Sequence, residues 1–250
     1  MLFHSTPFIL GFLPICLTGF FLAGRYGGST WALRWMVAAS LFFYAWWSPA
    51  HLPLLIGSVL ANHAIACRSR RSPSPGRWLA AGVTLNLLLL GWFKYADFLL
   101  HIAAPGAARL SITLPLAISF FTFQQIMFLV DAARASPRQP VPDLLPYAAF
   151  LTFFPHLIAG PIVRPAEIMP QLAASRFPML QADNLTAGLL IFLLGLGKKL
   201  VLADLFGGFA DTGFDAASHG AALSFFEAWY ATLSYALQIY FDFSGYSGIR

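Results

Sequence analysis

Charge is what this 250-residue sequence lacks most: only 10% of its residues are Asp, Glu, Lys or Arg, against about 25% in an ordinary soluble domain. A water-soluble fold needs polar groups to cover itself, so a soluble enzyme is excluded. Cysteine is scarce too. Cys16 lies inside the first apolar run and Cys67 at the basic end of the third; a disulfide scaffold is excluded, and two free thiols are expected. Positive charge is absent ahead of the first apolar run, so a cleaved signal peptide is not expected. There is no HExxH, no CxxC pair, no GxSxG elbow and no dinucleotide fingerprint. The histidines show no metal-ligand spacing, so no metal site is expected. No tandem repeat and no soluble domain is found.

What is present is apolar. Hydrophobic residues make up 58% of the chain and aromatics 16%, and the mean hydropathy is +0.70. These values predict an all-α polytopic membrane protein. Runs long enough to span fall at 7–24, 31–48, 51–66, 78–100, 112–131, 185–206 and 222–241, the third being short. An eighth, 144–163, contains Pro146, Pro155, Gly160 and Pro161. That density of breakers predicts a broken or re-entrant helix, which membrane depth tolerates only against protein or a water-filled cavity.

The net charge of +5 does not indicate nucleic acid, because the basic residues sit in short loops between apolar runs. Arg68, Arg70, Arg71 and Arg77 follow the third run, and Arg134 and Arg138 follow the fifth. Alternate loops are nearly free of them, so Lys/Arg counting puts the N-terminus outside the cytoplasm. The segment 207–221, with Asp211 and Asp215 and no cation, reads as an outside loop. Lys198 and Lys199, inside the run 185–206, require a bent or interfacial helix.

Polar groups within membrane runs cost about 2.5–3.5 kcal/mol each on insertion scales, so they mark candidate sites. Lys94 and Asp97 share a helix face and can pair, and near a helix end the lysine can snorkel. Asn86, Gln124 and Gln125 read as hydrogen bonds between helices, and Asp131 as a boundary residue. In the broken segment, His156 reads as a base, a channel-lining group or a packed core residue. Arg164 reads as a binder of an anionic group or an interface anchor. Gln238 and Asp242, four apart on the last run, read as cavity lining or capping.

Several stretches, in order along the chain, resemble one family. Residues 40–47, SLFFYAWW, are similar to its second-span signature, and residues 118–125, ISFFTFQQ, with Leu129-Val130-Asp131, to its fifth-span block. Residues 153–164, FFPHLIAGPIVR, resemble its broken segment. Residues 195–204, GLGKKLVLAD, and 235–247, YALQIYFDFSGYS, resemble two later blocks. The sequence is thereby identified as resembling the membrane-bound O-acyltransferases, in the branch that O-acetylates alginate.

The resemblance implies transfer of an acyl group, usually acetyl, from a cytoplasmic donor to hydroxyls of an extracytoplasmic polysaccharide such as alginate or another cell-envelope glycan. The donor, acetyl-CoA or an acyl carrier, is a substrate rather than a bound cofactor. Implied partners are the lipid bilayer and periplasmic acetyltransferase proteins; the implied location is the bacterial inner membrane. The family's catalytic His belongs to a Trp-His motif following FDFSGYS, so it is expected beyond residue 250, and residues 1–250 read as one incomplete domain with no catalytic residue of their own. Pro155, His156, Gly160, Pro161, Arg164, Gln238, Asp242 and Tyr246 are expected to line the acyl and substrate funnel. A catalytically inactive membrane scaffold or remnant is the alternative, and a transporter a further one.

Overall fold

The computed structural model describes residues 3, 5–104, 106, 108, 110–135, 140–157, 163–173 and 182–248. All regular structure among them is helical. The chain forms two compact units, one built on Pro14–Phe177 and the other on Leu2–Leu13 with Pro178–Arg250.

After a π-helical turn at Pro7–Phe12, helix α1 runs over Leu13–Trp47 with a break at Gly28 (φ 75°, ψ −173°). Only glycine adopts that conformation without strain. Thirty-five residues of straight helix would measure roughly 52 Å, far more than the ~30 Å hydrocarbon core of a bilayer. The break folds the helix back instead: Trp35 Nε1 donates to the Cys16 carbonyl at 2.9 Å across it. The expected spans 7–24 and 31–48 are therefore two arms of a hairpin hinged at Gly28.

Helix α2 (Leu52–Arg71) and α3 (Pro75–Ala103) are separated by residues 72–74. Pro75 opens α3, where its missing N–H is no loss. Helix α4 covers Ile118–Arg134. It starts six residues later than the expected span at 112–131, because Pro115 lacks an amide donor and Ala117 is left-handed (φ 57°). Helix α5 (Leu144–Thr152) stops at Phe153, and a single turn, α6, follows at Phe154–Leu157. The predicted break is thus present, while residues 158–162 of that run lie outside the described residues. Helix α7 spans Pro165–Ala173.

Burial in this unit identifies its solvent. Tyr44, Leu55, Phe121, Phe128, Tyr147 and Phe150 form the core. Asn62, Asn86, Gln124 and Gln125 are buried with them. Outside, Leu88, Trp92 and Phe98 on α3 are 58–67% exposed. Polar amides inside and large apolar groups outside fit a lipid surround. Among the described residues, three helical runs are long and apolar enough to cross a membrane: Pro7–Trp47, Pro49–Arg71 and Pro75–Ala103. The chain is an all-α, multi-pass membrane protein.

The second unit contains α8 (Ala182–Gly197), a π-helical stretch at Lys198–Ala203, α9 (Asp204–Ser218) and α10 (Phe225–Gly248). The segment 207–221, expected as a loop, is helical as far as Ser218. Its aspartates and lack of cations suggested a loop, but Gly207 and Ala210 are buried and the acidic residues point outward. Residues Ser224 and Glu227 cap α10 reciprocally: the Ser224 amide donates to Glu227 Oε2 at 2.7 Å and the Glu227 amide to Ser224 Oγ at 3.4 Å.

Candidate functional site

The break between α5 and α6 is held from α1. A helix interrupted at membrane depth frees backbone groups that lipid cannot satisfy. The Phe154 amide, freed at this break, donates to the hydroxyl of fully buried Ser40 at 3.3 Å. The Phe43 and Phe154 rings meet at 5.1 Å in the same contact. On the α5 side, Thr152 Oγ1 donates back to the Ala148 carbonyl at 2.7 Å. His156 follows directly. Its ring centroid lies 5.4 Å from Phe153, 5.8 Å from Phe150 and 6.5 Å from Phe120. Its Nε2 is shut off from solvent. A neutral imidazole accepts a hydrogen bond at one nitrogen and donates at the other.

The same unit holds a network of side-chain amides joining three helices. Gln125 Oε1 accepts from Ser58 Oγ at 2.6 Å and from Asn62 Nδ2. Asn86 Nδ2 donates to Asn62 Oδ1 at 2.6 Å and to the Gly82 carbonyl at 2.8 Å. Neighbouring Gln124 is different. It is wholly buried, yet neither its Oε1 nor its Nε2 meets a hydrogen-bond partner among the described residues. Gln124 stands one turn from Phe120, which touches His156, and one turn from Phe128, which stacks on Tyr147 at 4.0 Å. It therefore shares the face of α4 that packs toward the break.

The second unit carries an ion cluster at the π-helical stretch. Lys199 Nζ lies 2.9 Å from Asp204 Oδ1 and 2.9 Å from Asp242 Oδ1. Lys198 Nζ donates to Ser244 Oγ at 3.1 Å. The extra residue per turn of a π-helix brings both lysines round to α10. Helices approach here to backbone contact: a Cβ added at Gly245 would stand 2.8 Å from the Gly195 carbonyl oxygen and 3.1 Å from the Lys199 nitrogen. Gln238 lies over Gly207, and Phe206 stacks on Phe241 at 5.9 Å and 7°.

Three long motifs thus sit at a helix break, at a π-helical ion cluster and at a glycine contact. Comparison with known proteins gives them a family. Residues 130–250 match the model of MBOAT, the membrane-bound O-acyltransferase family. A peptidoglycan O-acetyltransferase of Helicobacter pylori is 42% identical over 98% of this chain and 52% of its own length. A probable alginate O-acetylase AlgI of Pseudomonas aeruginosa is 35% identical over 99% of this chain and 48% of its own, and that of Azotobacter vinelandii 34% identical over 99% and 50%. Residues 130–250 thus carry the membrane-bound O-acyltransferase family domain. The chain spans about half the length of the curated relatives it matches. No solved structure matches it.

Within this chain the expected funnel residues are distributed as follows. Pro155, His156 and exposed Arg164 belong to the first unit, at and after the break. Gln238 and Asp242 belong to the second and share the α10 face packed on α9 and the π-helical stretch, with Asp242 held by Lys199. Tyr246 is on α10, one turn beyond Asp242. Gly160 and Pro161, and the side chain of Tyr246, lie outside the described residues. The glue assignment of Asn86 and Gln125 is realised, but that of Gln124 is not. Lys94 and Asp97 form no ion pair. Asp97 Oδ1 instead accepts the Leu110 amide at 2.7 Å, and the Lys94 ammonium lies 5.5 Å from the Tyr95 ring centroid. A loop amide with no helical partner outcompetes the ammonium for the carboxylate.

Sequence reasoning missed Ser40 and Lys199. Ser40 opens an aromatic stretch and looks incidental until the break needs an acceptor. The spacing of Lys199, Asp204 and Asp242 becomes informative only once α10 is known to return along the π-helical stretch. Among the described residues no group of three or more His, Cys, Asp or Glu is arranged to hold a metal ion.

Proposed function

We propose that this chain provides the membrane framework of an O-acetyltransferase. In this reading an acetyl group passes from a cytoplasmic thioester donor, acetyl-CoA or an acyl carrier, to hydroxyls of an extracytoplasmic glycan such as alginate or peptidoglycan. The carrying observation is likeness along 98–99% of the chain to relatives named for O-acetylation of two different envelope polymers. The hydroxyl oxygen attacks the acetyl carbonyl, the C–S bond breaks and an ester C–O bond forms. A base takes the hydroxyl proton, and the thiolate leaves to be protonated. In the family such a base is the His of a Trp-His motif after FDFSGYS; no residue of this chain is assigned that role.

Pro155, His156, Gly160, Pro161, Arg164, Gln238, Asp242 and Tyr246 are proposed to line the path of donor and acceptor. Broken backbone at 153 and the enclosed imidazole support a route that keeps water from the thioester. The Lys/Arg distribution supports an N-terminus outside the cytoplasm, and the family resemblance supports an inner-membrane location with periplasmic acetyltransferase partners.

The test uses membranes from cells expressing the gene at its own locus, supplied with acetyl-labelled acetyl-CoA and either polymer. Base-labile label entering one polymer, and lost on deletion of the locus, is the expected result. Label entering neither would overturn the transferase reading.

A further inference from the structure

The first unit has a basic end. Arg68, Arg70 and Arg71 close α2, Arg77 lies in the first turn of α3 and Arg134 closes α4. The ends are tied together by Arg70, whose Nη1 donates to the Ala135 carbonyl at 2.6 Å. Cations at helix C-termini are favourable in themselves, since they face the carbonyl end of the dipole. At this end the structure also opens a cavity of about 490 Å³, within the size range of small-molecule sites. Its walls are apolar, with Phe128 of α4, Val141 ahead of α5 and Met169 of α7; its charged lining is Arg70, Asp131 and Arg134.

We propose that this cavity binds the headgroup of an anionic glycerophospholipid. Three features of the site select that chemistry. Two guanidinium groups against one carboxylate leave an excess of one positive charge, matching a singly charged phosphodiester. Guanidinium presents planar paired donors to phosphate oxygens. Asp131 accepts but does not donate when ionised, so it matches a headgroup hydroxyl, as in phosphatidylglycerol, rather than a second phosphate. The apolar walls then take the upper part of the acyl chains. Basic pockets between membrane helices are a recurring setting for anionic lipid headgroups. The cavity shares no lining residue with the break at 153 or the ion cluster at Lys199, and it does not depend on the acetyl-transfer reading.

The test is native mass spectrometry of the delipidated full chain, titrated with phosphatidylglycerol or phosphatidylcholine of identical acyl chains. Phosphatidylglycerol should bind more tightly. Arg134→Gln, at an exposed position, should weaken phosphatidylglycerol binding about fivefold and leave phosphatidylcholine unchanged. Met169→Trp, which fills the cavity and keeps both arginines, should remove the preference. Equal binding of the two lipids to the unaltered chain would overturn the proposal. So would a preference kept in full by both variants. Displacement of phosphatidylglycerol by acetyl-CoA at equal concentration would also overturn it, because the occupant would then be a soluble phosphate compound.

Discussion

Gln124 and Gln125 are adjacent, both fully buried, and should respond to replacement by leucine in opposite directions. Leucine is close in size, so cavity effects are small and the polar balance decides. Gln125 Oε1 accepts from Ser58 and Asn62. Its loss leaves the Ser58 hydroxyl without that acceptor, whereas Asn62 Nδ2 retains the Ser58 carbonyl at 2.9 Å. An orphaned buried donor costs about 1–3 kcal/mol. Measured side-chain hydrogen bonds in membrane proteins reach about 1.7 kcal/mol at most, so Q125L should cost about 1–2 kcal/mol. Gln124 has no such partner to orphan among the described residues. Q124L removes an amide that is desolvated without compensation and should be neutral or stabilise by about 1 kcal/mol. At roughly 2–4 °C per kcal/mol for a chain of this size, Q125L lowers the unfolding midpoint by about 2–8 °C while Q124L holds or raises it. Thermal unfolding of the purified protein in detergent, read as loss of the monodisperse peak, measures both. A Q124L midpoint as low as that of Q125L would refute the reasoning. Retention of such a costly amide is explained if it meets substrate, so Q124L should lower acetyl transfer without lowering stability.

Ser40→Ala should remove the Phe154 amide's bond to the Ser40 hydroxyl, at about 0.5–1.5 kcal/mol, and hydrogen exchange at Phe154 should accelerate more than at core positions of α2. Gly245→Ala places a methyl against the Gly195 carbonyl, which is backbone and cannot swing aside, and should destabilise by about 1–3 kcal/mol; guanidine-free thermal unfolding reads the shift. Lys199→Met leaves both Asp204 and Asp242 without their cation, whereas Asp242→Asn leaves Asp204 paired. Both carboxylates are about half exposed, so each contact is worth about 1 kcal/mol or less. The order expected in midpoints is unaltered chain, then D242N, then K199M, and the reverse order of the two variants would contradict the geometry.

Much of the fold was legible because membrane helices announce themselves by length and by the place of their cations. The break after Thr152 was legible for the same reason: Pro155 and its neighbours cannot extend a helix. The hinge was legible too: apolarity pauses at 25–30, and the backbone turns inside that gap, at Gly28. Helix α9 was hidden because glycines used for packing and aspartates on an outer face have the same composition as a loop. Site residues were legible as residue types but not as partners. Lys94 and Asp97 satisfied the spacing rule, yet Leu110, thirteen positions beyond Asp97, took the carboxylate. The Ser40 bond to Phe154 spans 114 positions, and no local pattern predicts such a pairing.

The most direct test of the central claim is the ester-linked acetate content of the cell's own envelope polymers. Polysaccharide and peptidoglycan are isolated from the parent strain, a strain with the locus deleted and the same strain complemented. Mild base then releases acetate for quantification. Acetate that falls in one polymer on deletion and returns on complementation is the result predicted here. Unchanged acetate in every polymer would contradict an O-acetyltransferase role.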